Sequence, residues 1–175
     1  TSCLILLAAT VMASAQKPNI VVIISDDAGY GDFSFQGSSQ FPTPRIDSLA
    51  KDGVRFAQGY VTASVCSPSR AGLLTGRYQQ RFGHEFNVPP AFSEVNGLPT
   101  DEAMLPSVLA AAGYQTFGLG KWHLGYADHF HPLSRGFSKW YGFLQGARSY
   151  WPMKGTKLNR LLDGREPIKE TFSYM

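Results

Sequence analysis

Apolar and polar positions along this chain fall into short runs punctuated by glycine and proline. Asn19-Ile20-Val21-Val22-Ile23-Ile24-Ser25 is a continuous, mostly β-branched run ending in Asp26-Asp27-Ala28-Gly29-Tyr30-Gly31-Asp32. Such a run predicts a strand buried on both faces, the first of a parallel sheet, feeding a glycine-rich loop. Thr43-Pro44 then opens a helix with Ile46, Leu49 and Ala50 on one face, and Gly53 closes it. Residues 54–61 read as the next strand, delivering the chain to Cys66. Pro68 suits a first helical turn, Ser67 its N-cap and Gly76 its stop, so a short helix is predicted over residues 68–75. Pro106 is excluded from a helix interior, which starts the third helix near Leu105, with Val108 and Leu109 inside it and Gly113 at its end. Residues 115–120 are the third strand, ending at Lys121-Trp122-His123.

Strands alternating with helices predict an α/β fold with a mostly parallel sheet flanked by helices. The polar residues of interest all fall at carboxyl ends of strands, where open α/β sheets place ligands. Residues 77–100, with Pro89-Pro90 and Pro99, are expected to form a long ordered loop over that face. Beyond Leu124 no clean period remains.

A hydrophobic content of 43% with 17% charged residues is that of a globular chain, and the net charge of +3 is carried by scattered residues, which excludes a nucleic-acid footprint. Residues 3–12 form an apolar run too short for a membrane span. Ala13-Ser14-Ala15 before Gln16 makes the run read as the core of a signal peptide, residues 1–15, with an A-x-A cleavage site. A buried helix is the other reading, without a cap or amphipathic period to support it. No initiating Met or basic segment precedes the run, so the sequence is expected to begin partway into the signal, and the chain to be exported, periplasmic or secreted. Cleavage would remove Cys3 and leave Cys66 as the single thiol, an arrangement suited to a dedicated modification of that thiol.

Asp26 and Asp27 are adjacent acids at a strand end, able to offer hard oxygens to Ca²⁺ or Mg²⁺ or, alternatively, to cap a turn. Position 66 lies beside a helix N-terminus, where free N–H groups and the helix dipole favour anions. A buried structural cysteine in front of a core helix is the competing reading. Arg70, one turn later, has a planar fork able to reach back toward position 66. Lys121 is either an anion-binding cation at a strand end or a surface charge, and His123 either a site residue or a satisfied core histidine. His84, Glu85 and Asn87 would line a pocket or belong to a solvated loop.

Cys66-Ser67-Pro68-Ser69-Arg70, continuing through Ala71-Gly72-Leu73-Leu74-Thr75-Gly76-Arg77, resembles the sulfatase signature, and the match runs from Ser64 to Gly76 without a gap. Gly113-Tyr114-Gln115-Thr116 with Gly120-Lys121-Trp122-His123-Leu124-Gly125 resembles the second signature, Leu119 being a small departure. Ser25-Asp26-Asp27 through Asp32 is similar to the family's first metal-binding stretch. The resemblance implies a formylglycine-dependent sulfuric ester hydrolase of the alkaline phosphatase-like superfamily. Cys66 would be oxidised to formylglycine by a formylglycine-generating enzyme. Asp26, Asp27 and position 66 would bind Ca²⁺, with Mg²⁺ as the alternative ion. Lys121 would meet the sulfate oxygens, His123 the aldehyde hydrate, and Arg70 the nucleophile and metal ligands. Asp32 is read as structural, and Ser149 reaches the sulfate only by a looser analogy. The substrate would be a sulfated small molecule or polysaccharide.

Residues 16–175 are accordingly expected to be the N-terminal part of a sulfatase catalytic domain with its sheet incomplete at the C-terminus. A downstream Asp-Asn metal pair, a second histidine and a second lysine are expected in later sequence. A phosphoester or phosphonate hydrolase of the same superfamily is one alternative. A non-catalytic scaffold domain is another, against which intact Cys66, Arg70, Lys121 and His123 argue.

Overall fold

A computed structural model describes residues 16–152, 159–171 and 173. The expected signal peptide, residues 1–15, lies outside the described residues. The chain divides into two compact units, Thr1–Gly53 and Val54–Met175.

In the first unit, helix α1 (Pro44–Asp52) starts and stops where its local chemistry predicts, with Pro44 in its first turn and the Gly53 N–H donating to the Leu49 carbonyl. The Asp47 carboxylate accepts from Ser34 Oγ at 2.6 Å, Thr43 Oγ1 at 2.8 Å and the Phe35 N–H at 3.0 Å. These bonds, that from Ser34 foremost, hold its carboxyl below the usual range.

The run at residues 19–25 corrects the expectation of a doubly buried strand. Among the described residues it joins no ladder, and Ile20 to Ile24 are exposed. β-Branched side chains favour extended backbone, but a strand exists only where a partner supplies the second half of each hydrogen bond. Residues 54–61 form no strand either, for the same reason.

The second unit holds helix α2 (Cys66–Thr75), helix α3 (Leu105–Ala111) and a four-stranded sheet of strands β1 (Phe117–Lys121), β2 (Lys139–Phe143), β3 (Leu162–Asp163) and β4 (Glu166–Pro167). The sheet order is β1-β2-β3-β4. β1 and β2 are parallel, pairing Phe117 with Lys139 and Lys121 with Phe143, whereas β2–β3 and β3–β4 are antiparallel. The fold is α/β as expected, and the sheet is mixed. Trp140 on β2 packs into a core with Trp122, Leu124, Tyr126, Leu98, Met104 and Ala71. On the other face Phe117 and Leu119 are exposed. Helix α3 contains Val108 and Leu109 as expected; Pro106 and the preceding Met104 are buried, while Val108 is exposed. No helix among the described residues is long and apolar enough to cross a membrane.

Candidate active site

Helix α2 begins two residues earlier than its sequence suggests. Its N-cap is Val65, which makes no side-chain cap, and Cys66 is the first helical residue, half-buried with a free thiol. Ser67, expected as the cap, is instead fully buried. Its backbone N–H, left over by the helix, donates to Asn87 Oδ1 at 3.0 Å, so the capping group comes from twenty residues downstream. Pro68 falls within the first turn, where its missing N–H costs nothing. The helix stops where predicted, at Gly76, whose φ of 65° is left-handed and whose N–H bonds the Gly72 carbonyl.

Cys66, Arg70, Lys121 and His123 all stand in this unit. Arg70 projects from α2 to the end of β1, where its Nη1 donates to the Lys121 carbonyl at 2.6 Å. His123 follows β1 after one residue and is buried. Its N–H donates to the Leu144 carbonyl at 3.0 Å, and its own carbonyl accepts the Ser67 hydroxyl at 2.6 Å. The imidazole Nε2 stands 3.2 Å from the Val88 carbonyl. A carbonyl only accepts, so the contact puts a proton on Nε2. Gly146 makes room for the ring: a Cβ at that position would lie 2.4 Å from Cε1. The helix that starts at Cys66 is thus tied to the end of β1 by two bonds, Arg70 to the Lys121 carbonyl and Ser67 to the His123 carbonyl.

Asp26 and Asp27 belong to the first unit and are exposed. Asp32 folds back on its own turn, its Oδ2 accepting the Gly29 N–H at 2.6 Å, in keeping with a structural role. Among the described residues, two that are not glycine adopt positive φ: Asp27 at 60° and His123 at 59°. Left-handed backbone is disfavoured for L-residues and concentrates at functional sites. Both residues that bear it here are ones to which the sulfatase resemblance assigns a site role. Two adjacent carboxylates on a backbone bent at Asp27 fit a hard divalent cation in donor type, and fall short of the about six to eight oxygens that Ca²⁺ takes.

His84 does not sit in solvent. It is buried, with Nε2 at 2.7 Å from Ser67 Oγ and Nδ1 at 3.3 Å from the Gly97 carbonyl. Burial lowers its pKa, partly offset by the Gly97 carbonyl. Glu85 is exposed, and Ser149 is exposed with its Oγ taken by the Trp151 N–H at 3.1 Å. Sequence reasoning missed Val88 and Gly146 entirely. Neither carries a residue-type signal, because each acts on a ring far away in sequence.

The arrangement is that of an α/β scaffold with an anion-suited helix start beside the strand end that carries Lys121. A model of the sulfatase family matches residues 18–166. The chain is 42% identical over 138 residues to N-acetylgalactosamine-6-sulfatase of Sus scrofa, covering 75% of this chain and 26% of that protein. It is 45% identical over 128 residues to arylsulfatase G of Rattus norvegicus, covering 73% of this chain and 24% of that protein. Among solved structures it superimposes on Ps i-CgsB with a TM-score of 0.84 at 41% identity, over 91% of this chain and 39% of that one. PsFucS1 sulfatase from Pseudoalteromonas sp. matches with a TM-score of 0.66 at 35% identity, over 78% of this chain and 27% of that one. The chain belongs to the sulfatase family. It spans about a quarter of the length of the curated relatives it matches.

Proposed function

We propose that this chain is the part of a sulfuric ester hydrolase that carries the nucleophile, and that the whole protein cleaves R–O–SO₃⁻ esters of sulfated carbohydrates. The observation that carries the reading is the bonded link between the Cys66 helix and the Lys121–His123 segment, with His123 held in a left-handed backbone. Cys66, oxidised by a formylglycine-generating enzyme and hydrated, supplies the attacking hydroxyl. Attack on sulfur forms the new O–S bond as the alcohol oxygen leaves with its electron pair. The second hydroxyl of the hydrate then expels sulfate and re-forms the aldehyde, a step closed to serine.

Lys121 holds charge developing on the sulfate oxygens. His123 orients the hydrate. Arg70, one turn beyond position 66, braces α2 against the Lys121 carbonyl. Asp26, Asp27 and position 66 would hold the divalent cation, Ca²⁺ in preference to Mg²⁺, which when bound favours ionisation of the hydrate. The protein is exported, periplasmic or secreted, after removal of residues 1–15. For the substrate class, one solved relative is complexed with k-i-k-neocarrahexaose and the matched curated relatives include N-acetylgalactosamine-6-sulfatase.

The test is to co-express the chain with a formylglycine-generating enzyme, map the Cys66 peptide by mass and assay the whole protein in parallel on aryl sulfate and aryl phosphate. Conversion should remove about 18 Da, and Cys66→Ser should block both the conversion and the hydrolysis. An unmodified thiol under those conditions, or turnover confined to the phosphate ester, would refute the proposal.

A further inference from the structure

The buried contacts of Ser67 are not explained by the chemistry of position 66. Its side chain has no exposed surface. Its N–H is held by Asn87, its Oγ lies 2.7 Å from His84 Nε2, and the same Oγ lies 2.6 Å from the His123 carbonyl. Serine beside a histidine nitrogen has the look of a nucleophile with its base. Here that reading fails, because no reactant reaches a fully buried hydroxyl.

Proton counting assigns the roles. The His123 carbonyl can only accept, so the single hydroxyl proton of Ser67 goes to the shorter contact, and Oγ then accepts from a proton on His84 Nε2. His84 also approaches the far side of the same segment. Its Nδ1 faces the Gly97 carbonyl at 3.3 Å; that carbonyl also only accepts, so the two contacts compete for the one proton of the neutral ring, and the shorter contact to Ser67 Oγ takes it. Gly97 is bridged to Gly125, two residues beyond His123.

We propose that His84 is a positioning residue: through the buried Ser67 hydroxyl it locks the first turn of α2, which carries position 66, to the left-handed backbone of His123. The chain of contacts His84–Ser67–His123 joins three segments that sequence separates by 17 and 56 residues. Left-handed backbone at a histidine persists only where its surroundings over-determine it. The Leu144 carbonyl on the N–H and the Ser67 hydroxyl on the carbonyl do so from two sides. Removing the imidazole leaves Ser67 Oγ without its donor and lets the hydroxyl rotate away from His123. Nothing in this role requires His84 to touch substrate.

The kinetic half of the test rests on the sulfatase reading; the exchange half does not. His84→Leu, His84→Gln, Ser67→Ala and the Ser67→Ala/His84→Leu double variant would be made in the full protein, each checked for aldehyde content at position 66. Amide hydrogen exchange over residues 65–70 and 121–125, and kcat and KM on an aryl sulfate, would be measured. His84→Leu should raise exchange in both segments about tenfold and lower kcat about tenfold at unchanged KM, the scale of one buried hydrogen bond. His84→Gln, which keeps an N–H donor near Nε2, should restore both. The double variant should be no worse than Ser67→Ala, since His84 acts through that hydroxyl.

Wild-type exchange in both segments of His84→Leu, or losses that multiply in the double variant, would overturn the inference. Should His84→Leu fail to fold, the donor-retaining Gln variant decides alone: wild-type protection supports the inference and lost protection overturns it. A fully converted wild-type protein inactive on sulfate esters would instead sink the functional reading, leaving the exchange data to judge His84.

Discussion

Replacing Gly146 by alanine should separate catalytic placement from stability. The new Cβ would lie 2.4 Å from His123 Cε1, 2.6 Å from Nε2 and 2.8 Å from Nδ1. Carbon atoms in contact prefer about 3.5–4.0 Å, so the ring must withdraw by roughly 1 Å. It has little room to do so, being buried and held at Nε2 by the Val88 carbonyl. Gly146 is not among the glycines with positive φ, so alanine meets no backbone strain there, and the shorter list of unfolded conformers stabilises by about 0.4–1 kcal/mol. Overpacking costs about 1–3 kcal/mol, which leaves a net loss between about 0 and 2.6 kcal/mol.

Catalysis should suffer far more, since a misplacement of about 1 Å costs on the order of 100-fold in rate. Gly76→Ala is the control. A Cβ there meets nothing within 4 Å, but φ is +65°, so the loss is conformational, about 1–2 kcal/mol, with kcat unaffected. Urea unfolding followed by circular dichroism, with kcat on an aryl sulfate for the same samples, makes the comparison. Wild-type kcat in Gly146→Ala would refute the argument that the His123 ring is seated by this glycine and needed in that seat.

Arg148 and Glu170 form a bidentate pair at 3.2 and 3.0 Å with side-chain exposures of 1% and 5%. Glu170→Gln leaves a buried guanidinium short of its counter-charge and should cost about 3–5 kcal/mol, whereas Glu102→Gln, opposite the exposed Arg77, should cost about 1 kcal/mol or less; equal losses in denaturant would contradict this. His131 is buried with its pKa lowered to about 4, desolvation being the main cause and Arg165 the next. The unfolded chain therefore binds more protons between about pH 4 and 6.5, so stability should rise with pH through that window by up to about 3 kcal/mol, then level off. His131→Gln should flatten the profile, and an unchanged slope would rule His131 out as its source. Asp27→Asn keeps a residue that tolerates left-handed backbone while removing a charge, so it should leave unfolding near wild type and weaken Ca²⁺ binding by calorimetry at least tenfold in the whole protein. Undiminished binding would show that Asp27 is not a ligand.

The sequence alone determined what depends on neighbours along the chain. Pro44 with Gly53 bounded one helix, Gly76 stopped another, and β1 ended at Lys121 beside His123, because proline, left-handed glycine and strand propensity act within a turn or two. Motif resemblance also singled out Asp27 and His123 before their backbone angles were known. Tertiary structure decided the rest. The β-branched run at residues 19–25 specified extended backbone but not a ladder, since strand partners lie at no fixed distance in sequence. Ser67 had the right residue type and place for a cap. Instead it lies within the first turn, its own N–H taken by Asn87 and its hydroxyl turned inward to His84 and His123. Gly146 gave no signal at all, because its function is the absence of a side chain beside a ring 23 positions away, and only packing determines where an absence is needed.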